Sequence, residues 1–471
     1  MDAFAQHRVW LRAWRLSLAH LVCPGRHTIT NVLSTCGRQF DDWSADYRLF
    51  SVDRWDPALV FRPLIRGVIQ TCPDPSVFVI GLDDTHVKKT GTKTPGVTYR
   101  RDPLSPPFHC NLIRAQRFIQ LSAMLYADHP PGPARAIPIR FAHAPAVPKP
   151  RRTASKEQWQ AYRARCRQEN LSTRAVAILQ NVREELDQLH HARDRTLIVA
   201  VDASYTNQTV LKNLPRRTTL IGRIRKDAKL FHPPEGQDTS HRGPEQKYGA
   251  PAPSPDALRR DASLDWQEVN AHATGKVHAF RVRTISPILW KKAGYECPVR
   301  LIVIAPVGYR LRKGSKLLYR RPAHLICTDP DLPLQKVVQY YLWRWDVEVN
   351  HRDEKQLTGV GEAQVRATES VERQPAFAVA SYAMLLLAGA RAFGIDAVQA
   401  SLPLPKWRNL KGKARITTQE LLQELRREVW GEALDGLTKN YEQFVTAACG
   451  STKPSQLDLP LPSAVLYAGT G

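Results

Sequence analysis

Apolar residues follow two rhythms along the chain, helical spacing in some stretches and short unbroken runs in others. The segment up to residue 75 has the helical rhythm: in VWLRAWRLSLAHLV, Trp10, Trp14, Leu18 and Leu21 form one row and Arg8, Arg12 and Arg15 another. That arrangement suits a small DNA-binding helical unit and equally a packed helix with a solvated face. From Ser76 the texture changes. SVFVIGLDDTHVKKTG is a continuous apolar run ending in acids and a Lys- and Gly-bearing turn, the pattern of a buried strand that delivers a carboxylate to its end. Strand-like runs follow at 96–99 and 118–125. A Pro- and charge-rich stretch, 145–170, reads as an exposed basic connector. LSTRAVAILQNVREELDQL predicts a helix, and RTLIVAVDASYTN a second buried strand, with Asp202 where the apolar run stops. TTLIGRIRKDAKLF is strand-like again. A Pro- and Gly-rich segment, 231–255, then opens an inserted piece whose runs HAFRVRTI and VRLIVIAPVGY have β character.

Residues 341–355, YLWRWDVEVNHRDEK, predict one half-buried helix. At ~100° per residue, Tyr341, Arg344, Glu348 and Lys355 fall within roughly 60° of one another and share a stripe along which something anionic could lie. The neighbouring row, Val338, Leu342, Trp345 and Val349, is apolar and presses the segment onto a core. Further on, AFAVASYAMLLLAGA (376–390) is shorter than the ~20 residues a membrane span needs and reads as a buried core helix.

Composition adds a partner to this outline. The 471 residues are 43% hydrophobic, enough for several domains with a proper core. Lys and Arg number 68 against 44 Asp and Glu, a formal charge of +24 spread over most of the chain, which points to a polyanion, nucleic acid first. The eight cysteines form no C-x-x-C pair and no signal peptide precedes them, so a reducing, cytoplasmic setting without a zinc site is expected.

Three acids then stand out: Asp83 or Asp84 at the end of one strand, Asp202 at the end of another, and Glu348 on the helix. Carboxylates that converge in this way can hold two divalent ions, which activate a water and stabilise the leaving oxygen of a phosphodiester. Hard oxygen donors select Mg²⁺, with Mn²⁺ as substitute. Beside them Arg344 can clamp a phosphate, Lys355 can sit as a point charge on the next, and Tyr341 can stack or donate a hydrogen bond.

The spacing Y-x2-R-x3-E-x6-K of Tyr341, Arg344, Glu348 and Lys355 resembles the signature of DDE transposases from bacterial cut-and-paste insertion sequences. The continuation LTGVGEAQVRATESVERQ and the segments DDTHVKKTG and VDASYTN resemble that branch too, over roughly Ser76 to Phe393. The resemblance implies an α/β fold with a ribonuclease-H-like core interrupted by a β-rich insertion, and a trio of Asp84, Asp202 and Glu348 binding two Mg²⁺ ions. It selects Asp84, the acid directly before the Thr, with Asp83 as second choice. It further implies cleavage at the element's ends, a hairpin intermediate and strand transfer into target DNA. Tyr341, Arg344 and Lys355 would hold the bent strand, and an aromatic of the insertion, Trp290 or Tyr319, would stack on a flipped base.

The expected division is 1–75 helical and possibly DNA-binding, 76–225 first part of the core, 226–333 insertion, 334–400 second part of the core and 401–471 DNA or dimer contacts. His86 and His351 read as surface histidines rather than ligands. Lys88, Lys89 and Lys93, and the run KWRNLKGKAR (406–415), are further candidates for contact with phosphate. Double-stranded DNA is the expected partner, bound by a homodimer in a nucleoid-associated setting. A stand-alone metal-dependent nuclease and an inactive domesticated DNA-binding protein are the competing readings.

Overall fold

The short apolar runs after Ser76 and Arg195 extend as strands, and the longer run 376–390 is helical. The computed structural model describes residues 3–91, 93–102, 105–106, 108–127, 131–234, 246–312, 314–397 and 415–435, the last five by backbone alone. Four α-helices and a short 3-10 helix (Leu59–Phe61, before α4) open it: α1 (His7–Val22), α2 (Ile29–Thr35), α3 (Ser44–Ser51) and α4 (Arg62–Thr71). Strands β1 (Val77–Lys88), β2 (Thr98–Arg101), β3 (Leu112–Tyr126) and β4 (Ala134–His143) follow, then α5 (Lys156–Gln168) and α6 (Leu171–Asp187). After β5 (Thr196–Val201), α7 (Gln208–Leu211) and β6 (Thr218–Arg223) come β7 (Leu230–Phe231), β8 (Pro251–Ala252), α8 (Pro255–Arg260) and β9 (Gln267–Ala273). Strands β10 (Lys276–Trp290), β11 (Gly294–Ile304), β12 (Gly308–Tyr309), β13 (Leu318–Tyr319) and β14 (Ala323–Cys327) precede helices α9 (Leu334–Trp343), α10 (Trp345–Gln356), α11 (Ser370–Phe393) and α12 (Thr418–Asp435).

Strand β1 is central. It runs antiparallel to β3 and parallel to β5, with Leu82 opposite Leu121 on one side and Val201 on the other. β4 continues antiparallel from β3, and β6 parallel from β5. Phe78, Val79, Ile80 and Leu82 of β1 and Leu197, Ile198, Val199 and Val201 of β5 are all buried, adjacent residues on opposite faces, because both faces of this part of the sheet are covered. Helix α10 lies against β1, β3 and β4, and α11 against β4.

Beyond β6 the same sheet continues through β14, β11, β10, β7 and β8, with β9 paired on β10. The β-rich stretch expected as an insertion thus extends the core sheet by direct strand pairing. Its outer strand β9 is docked by α9: the buried Gln339 accepts from His272 N at 2.7 Å and donates to His272 O at 3.2 Å, matching the backbone's own pairing groups.

The helical N-terminus packs onto α11. α1 buries Val9, Ala13, Leu16 and His20, whereas Trp14 is 57% exposed. Small residues on the adjacent row allow close approach, and Ser17 Oγ donates to Ser381 Oγ of α11 at 2.8 Å. Two of the three arginines on α1, Arg12 and Arg15, pair with buried Asp46. The connector 145–170 contains α5, a helix with no buried residue, started by a Ser155–Gln158 capping box. α11 is long and apolar enough to cross a membrane, yet most of it is buried inside the fold. Of the run 406–415, only Arg415 is among the described residues; it ion-pairs with Asp346 at 2.7 Å and so is a structural anchor.

Candidate active site

The first two acids come from neighbouring parallel strands. Leu82 is level with Val201, so the next residues along, Asp83 and Asp202, leave β1 and the end of β5 side by side. Alternation along β1 gives its two faces different neighbours. Gly81 faces the helix pair: a Cβ there would meet Val347 Cγ2 at 2.7 Å and lie 3.6 Å from Arg344 Cα, so only glycine allows α10 this close. Asp83 and Thr85 share that face, as their partners show. Asp83 Oδ2 accepts from Arg344 Nη1 at 3.1 Å, and Thr85 Oγ1 accepts from Lys355 Nζ at 2.6 Å.

Asp84, the acid selected by the resemblance, turns to the opposite face. Arg117 donates to it twice, Nε to Oδ2 at 2.5 Å and Nη2 to Oδ1 at 2.9 Å, and Tyr205 donates its hydroxyl to Oδ1 at 3.0 Å. Burial and the neighbouring Asp84 push the Tyr205 phenol well up, so it remains a donor. Arg117 and Tyr205 were not legible as site neighbours, since only the pairing of β1 with β3 and the turn after β5 bring them there. Asp202 is braced by its own turn, accepting from Ser204 N at 2.8 Å and Ser204 Oγ at 3.2 Å.

The expected single helix is two. α9 ends at Trp343 and α10 begins at Trp345, with tightened i→i−3 bonds from Arg344 N to Tyr341 O and from Val347 N to Arg344 O. The buried row is accordingly Tyr340, Trp343, Val347 and Asn350, and Trp345, expected inside, is 61% exposed. The break places buried Arg344 among three of the predicted residues. Its guanidinium bonds Asp83 and, through Nη2, Glu348 Oε1 at 3.1 Å, and its centre lies 5.8 Å from the Tyr341 ring centroid. The expected stripe therefore does converge, on the face of β1 that carries Asp83.

A family model of DDE superfamily endonucleases matches residues 3–293. The chain belongs to this family. No curated protein matches it. The matched stretch holds Asp83, Asp84 and Asp202 and ends before the helix pair with Glu348, so the third acid rests on the signature spacing and on the geometry above. Proteins of this superfamily are nucleases and transposases that act on DNA and generally use divalent metal ions.

In this DDE endonuclease the donor set fits such ions in kind: hard carboxylate oxygens, with the His351 imidazole of α10 also near enough to Asp83 to act on its carboxyl. Burial raises the Asp83 carboxyl above its ordinary value; Arg344 works against this, and Asp202 adds to it. A divalent cation would relieve that cost, since two carboxylates side by side favour positive charge between them. Among the described residues, no three His, Cys, Asp or Glu side chains are gathered closely enough to chelate a metal, and the Arg344 guanidinium stands between Asp83 and Glu348.

The remaining candidates separate by burial. Lys89 is buried and donates to the carbonyls of Gly361 at 3.1 Å and Ala363 at 2.7 Å, which takes it away from phosphate; burial lowers its ammonium to about 8. His351, expected on the surface, is buried 3.5 Å from Glu354. His86 lies on the Asp84 face, and burial followed by Arg117 lowers its imidazole. Trp290 is buried at the wall of a cleft of about 470 Å³ that also meets Ala203, while Tyr319 stands 65% exposed on β13.

Proposed function

We propose that this DDE endonuclease is a DNA transposase, which cuts at the ends of a mobile element and joins the freed 3′-hydroxyl to target DNA. The observation that carries the reading is Arg344, bonded at once to Asp83 and Glu348 on the face where Asp202 and the Thr85-bound Lys355 also lie. Asp83, Asp202 and Glu348 would hold two Mg²⁺ ions, which when bound supply an activated water and stabilise the leaving oxygen. Asp84, engaged by Arg117 and Tyr205, is the second choice. Arg344 holds the acids until DNA arrives and then turns its fork to a phosphate, while Lys355 and Tyr341 keep the strand in place. Trp290 or Tyr319 stacks on a base drawn out of the helix.

The strand order β4-β3-β1-β5-β6, antiparallel then parallel, supports a ribonuclease-H-like core. It would comprise 76–225 and 334–400, divided by 226–333 and flanked by 1–75 and 401–471. Joining two ends calls for a homodimer on paired DNA, in the cytoplasm at the nucleoid. The test uses a labelled duplex of the DNA flanking the coding region, with Mg²⁺ or EDTA, comparing the intact chain with Glu348→Gln. Metal-dependent cutting that the variant lacks, followed by joining to a plasmid, is the expected result. Cutting without joining would make it a stand-alone nuclease, and binding without cutting a domesticated DNA-binding protein.

A further inference from the structure

The strongest unassigned feature is a groove of about 760 Å³ between the end of β6, helix α8 and the start of β14. Six cations line it: Arg223, Arg225, Lys226, Arg259, Arg260 and Arg321. Asp256 binds both Arg259 and Arg260, and Asp227 binds Arg225. Arg223, Lys226 and Arg321 have no ion-pair partner among the described residues. His324 also lines the groove. It is 6% exposed, and its Nε2 has no hydrogen-bond partner among the described residues, so a polar group seated in the groove would satisfy it. Burial lowers its imidazole, with Arg223, Arg259 and Lys226 acting the same way and Asp256 against them.

Two further features indicate what fits there. Ala203, directly after Asp202, lines the groove, so one end of it adjoins the second acid. Past Arg321 towards the N-terminus is the β12–β13 hairpin, where Tyr309, Leu311, Leu317 and Tyr319 are exposed. Between Glu296 and Asp329 the chain has seven Lys and Arg and no acid. Interleaved cations and exposed aromatic and apolar side chains match nucleic acid, whose phosphates take the charge and whose sugars and bases take the rest.

We propose that this groove is a second DNA-backbone site, separate from the strand held by Tyr341, Arg344 and Lys355, and that His324 donates its ring N–H to a phosphate oxygen seated by Arg223, Lys226 and Arg321. The inference rests on DNA being the substrate. Its test is the salt dependence of duplex binding by the full chain, read by fluorescence anisotropy, alongside the Mg²⁺-dependent cutting assay. Lys226→Ala with Arg321→Ala should weaken binding roughly tenfold at physiological salt and lower the slope of log K against log salt by about two, near 0.9 for each phosphate no longer neutralised. Lys226→Arg with Arg321→Lys, which keep the charge, should restore both, separating a direct role in binding from misfolding. An unchanged slope in the alanine pair overturns the groove while leaving the transposase reading intact. Failure of the intact chain to bind any duplex overturns both.

Discussion

At the scale of single residues, Asp83 and Asp84 are adjacent yet have different partners. Asp83 shares Arg344 with Glu348, and Asp84 is locked to Arg117 and Tyr205. Asp83→Asn should reduce Mg²⁺-dependent cutting by about 10²–10³-fold or more, because it removes charge where the reaction needs it. Asp84→Asn should leave cutting within about tenfold and cost about 1–3 kcal/mol of stability, as expected for a partly buried pair that loses its charge; urea unfolding and the cleavage assay together distinguish the two. Sequence reading reached this pair but could not orient it, since adjacent strand residues point to opposite faces and both faces are covered. Gly81 held the missing signal. Its parity marks the face where α10 comes closest, a meaning visible only once the helix is in place.

At the scale of elements, that close approach is testable. Gly81→Ala would push a methyl to 2.7 Å from Val347 Cγ2 and Met124 Cε. Overpacking of this kind costs about 1–3 kcal/mol. It should also lower cutting without touching any acid, because α10 and Glu348 must shift; the check is activity measured below the variant's melting temperature. Strands β1 and β5 were readable because an apolar run too short for a buried helix, and stopped by an acid, suits a doubly covered strand. The break at Arg344 was not. The row Val338, Leu342, Trp345 and Val349 and the observed row Tyr340, Trp343, Val347 and Asn350 both offer large apolar groups at helical spacing, and only tertiary contacts choose between them. The joining of the insertion to the sheet was equally hidden, since pairing of β14 with β6 depends on residues about a hundred positions apart in the chain.

At the scale of the whole molecule, the buried His20 and the half-buried His143 make stability depend on pH. Burial, then His27, lowers His20 to about 3; burial, then Arg174, lowers His143 to about 4. Each ring stays neutral in the fold, while the unfolded chain takes up a proton below about 6.5. Their contribution is therefore full above that pH and is lost as pH falls through 6.5 towards the folded values. The melting temperature should fall between pH 7 and pH 5, with His20 accounting for about 2 kcal/mol at pH 5; His20→Gln should flatten that part of the profile. Overall charge was the global property most open to sequence reading, though where its cations gather, around His324, required the fold. The pairing of β6 with β14 has one more consequence. A minimal nuclease made by excising 226–333 would strip β6 of its neighbour and present Leu220 and Ile221, both fully buried in the intact chain, along a raw sheet margin. Such margins recruit one another, so the trimmed protein should sediment as fibrous or amorphous aggregate at concentrations where the full chain remains dispersed.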